Sequence, residues 1–295
     1  MSTFVGIEAG GTKFICAHGQ DSHDLSDRVR IETTTPEETM PQVIDYIRQV
    51  SNTQRVDAIG VACFGPLDLD PFSEQYGCIA SSPKLAWKNF DMIGCLSEHF
   101  DVPIGLDTDV NAAALAEQRW GAGMDIDSLI YITVGTGIGV GAIVDGQIIH
   151  GAMHPEAGHV LIPRLKEDTF AGICPYHGDC LEGLASGPAI KERWQVESAL
   201  HLPANHQAWQ LEAKYLAYAI HNYSLCYVPK RIILGGGVMK QPELLPLIQI
   251  NVIKSLADYI DHAYLKGHQY ISIAGLGENA GILGAIALAE REFNV

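Results

Sequence analysis

Long apolar runs are missing from this chain. Its longest uncharged segment, Ser128–Val144, carries four glycines and falls short of the roughly 20 apolar residues that span a bilayer, so the sequence predicts no membrane span. The N-terminus lacks the basic, then apolar, then small-residue pattern of a secretion signal. Basic residues are scarce as well: 19 Lys and Arg stand against 35 Asp and Glu, a formal net charge of −16. Without a basic stripe to neutralise phosphates, nucleic acid is not expected as a partner, although a local site could still hold an anionic substrate. Seven cysteines is an odd count, and with no secretion signal it predicts a reducing, cytoplasmic setting. Cys16, Cys63, Cys78, Cys95 and Cys226 read as free thiols serving as small core residues. What remains is 295 residues, 47% hydrophobic and 18% charged. That composition is globular, and the length suits one large domain or two of ordinary size.

The apolar segments are short and end abruptly. Phe4–Glu8 predicts a strand, Ala9–Thr12 a glycine turn, and Lys13–His18 a returning strand. The design recurs later, with Leu129–Val134, the turn Gly135-Thr136-Gly137, and Ile138–Val144. Two hairpins of one design read as a duplication, one opening each half. Val56–Phe64, Ile104–Leu106, Arg231–Leu234 and Ile271–Ala274 run into glycine or polar residues and suit buried strands. Helical patterns lie between them at Pro36–Ser51, Val110–Trp120, Leu211–Cys226, Glu243–Tyr259 and Ala280–Phe293. Thr35, Pro36 and Glu38 look like a capping box. Alternating strands and helices imply parallel pairing covered by helices, with ligands collecting beyond the carboxyl ends of the strands.

Chemistry-bearing residues sit at those ends. Glu8-Ala9-Gly10-Gly11-Thr12-Lys13 combines a carboxylate, bare backbone, a hydroxyl and a cation, which suits phosphate oxygens. Thr133–Gly139 offers hydroxyls and N–H groups without a cation. Neither has P-loop spacing, so a Walker-type site is not expected. Gly235-Gly236-Gly237 follows a strand and could admit the flat face of a nucleotide. Asp109, closing the strand at Ile104–Leu106, could cap a helix or take a proton from a substrate hydroxyl, the role an aspartate plays in phosphoryl transfer. Asp107, two positions back, is expected on the same side by strand alternation. His159, Cys174, His177 and Cys180 have the spacing and donor types of a four-ligand structural zinc site, with His154 an alternative to His177. Glu156, three residues before His159, could grip a hydroxyl-rich substrate. The remaining histidines, from His18 to those after His201, show no partner pattern and read as solvated or packed.

Taken together these motifs resemble the ROK family (repressor, open reading frame, kinase) from Phe4 to about Leu288. They are Gly10-Gly11-Thr12-Lys13, Thr108-Asp109-Val110-Asn111, Thr133–Gly139, Glu156-Ala157-Gly158-His159, the Cys/His cluster and Leu234–Gly237. The form Cys174-Pro175-Tyr176-His177-Gly178-Asp179-Cys180 and the following Leu181-Glu182-Gly183-Leu184-Ala185-Ser186-Gly187-Pro188 are most similar to the zinc-containing bacterial fructokinases of that family. The resemblance implies an α/β, actin-like (ribonuclease-H-like) ATPase fold with a duplicated mixed sheet covered by helices, its two lobes closing on sugar and ATP. The first lobe would span residues 1–112, completed by a C-terminal helix at about 281–295, and the second 113–280. It implies ATP-dependent phosphorylation of D-fructose at the 6-hydroxyl, with glucose or mannose as alternative acceptors.

By the same resemblance Asp109 is the general base, and Gly65, Pro66, Asn111, Glu156 and His159 bind the sugar. Gly10, Gly11, Thr12, Lys13, Thr133, Gly135, Thr136 and Gly137 attend the phosphates of ATP. Ala185, Pro188, Ile190, Gly235, Gly236 and Gly237 complete the nucleotide site. Magnesium is expected with ATP, structural zinc on His159, Cys174, His177 and Cys180, and a homodimer. The family's sugar-sensing regulators carry a DNA-binding helix-turn-helix before the first glycine hairpin, and with the first strand starting at Phe4 none is expected here. Glu8 stands where the family usually has aspartate, and Thr108 where it usually has asparagine.

Overall fold

A computed structural model describes residues 2–82, 84–267 and 269–294; Met1 and Val295, the outer bounds expected for the first lobe, lie outside them. In chain order the strands are β1 (Phe4–Ala9), β2 (Lys13–Gly19), β3 (Val29–Glu32), β4 (Ala58–Cys63), β5 (Ile104–Thr108), β6 (Leu129–Val134), β7 (Ile138–Val144), β8 (Gln147–Ile148), β9 (Arg231–Gly235) and β10 (Ile271–Ile273). They form two five-stranded sheets, ordered β3-β2-β1-β4-β5 and β10-β9-β6-β7-β8. In the first, β1 pairs antiparallel with β2 and parallel with β4, which runs parallel to β5. In the second, β6 pairs antiparallel with β7 and parallel with β9, which runs parallel to β10. Each sheet thus repeats one topology: a glycine hairpin in the middle, an edge strand on one side and two parallel strands on the other. The duplication suggested by the hairpins extends to the whole mixed sheet.

The helices are α1 (Pro36–Ser51), α2 (Met92–Ser97), α3 (Asp109–Trp120), α4 (Leu181–Ala185), α5 (Gly187–Trp194), α6 (Gln207–Tyr227), α7 (Leu244–Leu256), α8 (Ala263–Lys266) and α9 (Ala280–Phe293). By backbone proximity the chain divides into two units. One comprises the described residues of Met1–Gly121, Ile148–Pro155 and Glu278–Val295, the other Ala122–Gln147 and Glu156–Gly277.

In the first unit β4 is buried at every residue, as a strand covered on both faces must be. Helix α9 lies against β1, β4, β5 and α3. It comes so close at Gly60 that a Cβ there would run into the carbonyl oxygen of Ala285. Glycine in a central strand marks such a backbone approach. Helix α1 turns Met40, Val43, Ile44, Ile47 and Val50 inward at helical spacing and begins with Pro36 and two acidic residues. The expected capping box is not formed: Thr35 makes no side-chain cap bond. Its hydroxyl instead goes to Glu37, whose carboxylate is held below its usual range first by its own backbone N–H and then by Thr35.

In the second unit the long helix α6 packs on α7 and α4. It starts one turn earlier than its apolar pattern, because His206 Nδ1 accepts the Ala208 N–H at 3.2 Å and caps the end. A histidine expected to be solvated or packed therefore has a capping role. Among the thiols expected in the core, Cys16 and Cys63 are buried, whereas Cys226 is exposed on α6. No helix among the described residues is long and apolar enough to cross a membrane.

Candidate active-site residues and metal cluster

The first unit presents its polar residues at the carboxyl ends of β1, β4 and β5. Thr108 is the N-cap of α3, its Oγ1 accepting the Asn111 N–H at 3.2 Å. Asp109 is therefore the first residue of the helix rather than its cap. Its carboxylate is exposed, with Oδ1 accepting the Val110 N–H at 2.9 Å. An anion at the first turn of a helix is favoured by the backbone dipoles there. Asp107 does not share that exposure, contrary to the alternation argument: it is fully buried. Its Oδ1 accepts from the Thr108 N–H and from Asn111 Nδ2, both at 2.8 Å, and its Oδ2 lies 2.9 Å from His150 Nε2. The alternation fails because the strand ends at Thr108 and Asp109 has helical geometry. Asn111 is 1% exposed, and its Oδ1 is buried with no partner among the described residues.

Gly65 and Pro66 lie in the loop after β4, where His154 Nε2 accepts the Leu67 N–H at 3.0 Å. This buried histidine fixes that loop, and it is not in the Cys/His group for which it was an alternative. The turn Gly10–Lys13 is closed by the Gly10 N–H donating to the Lys13 carbonyl at 3.0 Å, and Thr33 donates its hydroxyl to the Gly10 carbonyl at 2.8 Å. Thr12 and Lys13 are exposed on it. The Glu8 carboxyl beside this turn is pushed above its ordinary range by burial and then by the charge of Asp109, against the opposing pull of Lys13 and Arg28.

In the second unit a cavity of about 380 Å³ opens beside the β6–β7 turn. Of the residues expected at the nucleotide, it brings together Gly135, Thr136, Pro188 and Gly237. The Gly187 N–H donates to the Gly135 carbonyl at 2.8 Å and ties the start of α5 to the turn. Thr133 lies within β6, and Gly235 and Gly236 at the end of β9; Ala185 and Ile190 are buried, and none of the five lines the cavity. Lys191 and Ser198 do line it and escaped the sequence reading. Lys191 was recoverable as the residue three beyond Pro188 on one helix; Ser198 sits in a loop with no signal.

The Cys/His loop folds back on itself. Cys174 and Gly178 exchange backbone hydrogen bonds at 3.1 and 2.9 Å, and one ligand atom from each of His159, Cys174, His177 and Cys180 lies within 4.8 Å of the other three. His159 Nδ1 stands 3.6 Å from Cys174 Sγ and 3.5 Å from Cys180 Sγ. Burial, and then the neighbouring Cys174, pushes the Cys180 thiol up to about 11. Packing two thiols together in this way fits a cation, which favours thiolates that the pocket alone disfavours. The turn Glu156–His159 is pressed onto β7, where a Cβ at Gly158 would run into the Ile138 carbonyl. Glu156 itself is exposed.

The sequence signature of the ROK family matches residues 4–292. A relative from Bacillus subtilis (strain 168) is 46% identical, covering 97% of this chain and 95% of its own length. A fructokinase of Pediococcus pentosaceus is 42% identical over 96% of each chain. Among solved structures, a ROK hexokinase from Thermus thermophilus superposes with a TM-score of 0.79 at 27% identity, covering 99% of both chains. The duplicated mixed sheets, the signature and these full-length relatives agree: the chain belongs to the ROK family.

Proposed function

We propose that this protein is a fructokinase, transferring the γ-phosphoryl group of ATP to the 6-hydroxyl of D-fructose. Relatives named fructokinase match at 39–42% identity over nearly the whole chain, whereas relatives named glucokinase match at 23–27%. The observation that carries the mechanism is the placement of Asp109. Thr108 takes over the helix cap, so the Asp109 carboxylate stands exposed at the tip of β5. There it acts as general base, accepting the hydroxyl proton as the sugar oxygen attacks the γ-phosphorus. Asn111, Glu156, His159 and the Gly65-Pro66 loop bind fructose. Gly10–Lys13 and Gly135–Gly137 hold the phosphates through backbone N–H groups, and the cavity at Pro188 and Gly237 takes the nucleoside.

Magnesium carried with ATP would supply charge neutralisation for the phosphates. Glu8, its carboxyl raised by burial and by Asp109, is the group in the first unit that a nearby divalent cation would relieve. Zinc on His159, Cys174, His177 and Cys180 supplies a structural clamp for the loop that carries Glu156 and His159. The same reading makes the protein a cytoplasmic homodimer, which light scattering checks for the purified enzyme.

Asp109→Asn should lower kcat by about 10²–10⁴-fold, the usual scale for losing a general base, with a much smaller change in KM for fructose. Near-normal turnover would remove Asp109 from the chemistry. A hexose panel scored by kcat/KM tests the acceptor, and a higher value for glucose or mannose than for fructose would refute the assignment.

A further inference from the structure

Glu182 is the second residue of α4, two positions after the ligand Cys180. Its two carboxylate oxygens face opposite ways. Oε2 accepts the backbone N–H of Ile138 at 2.9 Å, at the returning end of the glycine hairpin. Oε1 lies 3.8 Å from His159 Nε2, while His159 turns Nδ1 toward the two sulfurs. A histidine that ligates a metal through one ring nitrogen commonly presents the other to a carboxylate, which sets its tautomer and orientation. The carboxylate comes close to the hairpin: a Cβ at Gly137 would lie 2.6 Å from Glu182 Oε2, so an added side chain there would push the carboxylate aside. The covalent path is equally short. The Ser186 N–H donates to the Glu182 carbonyl at 3.1 Å, Ser186 caps α5, and Gly187, the next residue, binds the Gly135 carbonyl and borders the cavity.

We infer that Glu182 is a positioning residue that couples metal occupancy to nucleotide affinity, by linking the metal ligand His159 to the β6–β7 phosphate turn. The inference rests on the zinc and nucleotide assignments proposed above. A cation on Nδ1 would fix the His159 ring with Nε2 on the Glu182 side, so the carboxylate that accepts the Ile138 N–H would have a fixed polar neighbour at its other oxygen. Without the cation the ring would be released, Glu182 would lose that fixed neighbour, and its hold on the Ile138 N–H next to Gly137 would loosen. Coupling between sites is reciprocal, so nucleotide should tighten zinc by the same factor that zinc tightens nucleotide.

Glutamine at this position separates the two contacts. A carboxylate accepts on both oxygens, whereas an amide has a single acceptor oxygen, so Glu182→Gln can serve Ile138 or His159 but not both. The experiment measures the Kd of magnesium AMPPNP by calorimetry for wild type, E182Q and E182A, each zinc-loaded and zinc-stripped. The zinc Kd, measured by chelator competition with and without AMPPNP, provides a second, reciprocal readout that starts from the zinc-loaded protein. Wild type should lose at least about 5-fold in nucleotide affinity on stripping, the lower end of ordinary coupling, and the ratio should fall toward one in both variants. An unchanged wild-type ratio, or an equal ratio in E182A, overturns the coupling while leaving the kinase assignment intact. Failure of zinc-loaded wild type to bind AMPPNP overturns both.

Discussion

Replacing Asp107 tests whether the buried network under α3 sets affinity for the acceptor. Asp107→Ala leaves two buried donors, the Thr108 N–H and Asn111 Nδ2, without their acceptor, at about 1–3 kcal/mol each. It also removes a buried carboxylate whose desolvation costs several kcal/mol. These terms oppose, so the unfolding free energy should fall by only about 1–3 kcal/mol. The orientational consequence is more specific. Asp107 fixes the Asn111 amide, whose Oδ1 has no partner among the described residues. A mispointed amide forfeits one neutral hydrogen bond to the sugar, about 0.5–1.5 kcal/mol. That converts to a rise of about 2–13-fold in KM for fructose, with kcat falling less because Asp109 keeps its own cap-side geometry. Asp107→Asn retains an acceptor toward Thr108 and Asn111 and turns its NH₂ toward His150, which accepts through Nε2 when neutral. Its KM should stay within about 2-fold of wild type. Steady-state kinetics across fructose concentration, with urea unfolding of the same samples, measures both quantities. In the double variant, Asp107→Ala should add little to Asn111→Ala if it acts through that residue. An unchanged KM in Asp107→Ala, or full additivity, would refute the reasoning.

Elemental analysis should find about one zinc per chain, the number a four-ligand site takes, and Cys174→Ser should abolish it. In that variant limited proteolysis should cut first between residues 160 and 180 while far-UV circular dichroism changes little; stoichiometric zinc would show the ligands to be wrong. Glu8 carries a pH signature. Its folded carboxyl is raised above the ordinary 4.5, chiefly by burial, so the folded state holds the proton more tightly and the ionised group destabilises the protein at neutral pH. That penalty is relieved as pH falls through the raised value toward 4.5. Glu8→Gln should therefore be more stable than wild type at pH 7, with the difference shrinking on acidification; a constant difference would exclude this origin. Gly60→Val should cost about 1–3 kcal/mol or more by forcing α9 off the sheet, whereas Gly237→Ala, with no heavy atom within 4 Å of the added Cβ, should leave Tm unchanged in calorimetry.

Legibility along this chain follows the distance over which each interaction acts. The two hairpins could be read because glycine turns and apolar runs are local signals, and β1, β2, β6 and β7 begin at the residues where those runs begin. The strand β3 escaped notice because it is an edge strand of four residues with only Ile31 buried, too little to form a pattern. Helices α4 and α5 span five and eight residues, barely one or two turns, so no helical period can develop. The Cys/His cluster could be read for the same reason as the hairpins, since its ligands fall within one loop and their spacing reflects geometry directly.

The supporting residues behave differently. Glu182 meets Ile138 across 44 positions of sequence, and Asp107 meets His150 through a segment that leaves the second sheet after β8 and returns to the first unit. Neither pairing has a periodicity or spacing, because strand order and chain crossing bring the partners together. A lone histidine after a short strand is unremarkable as a letter, and the family-like segment holding Glu182 does not say what that glutamate touches. Their meaning comes from their contacts: Asp107 Oδ1 serves two buried donors and cannot turn without leaving them unmet, while Glu182 accepts the Ile138 N–H beside the metal ligand His159. The residues that carry chemistry on this chain can therefore be found by type and local pattern, whereas those that aim them are found by asking which acceptors serve two donors at once.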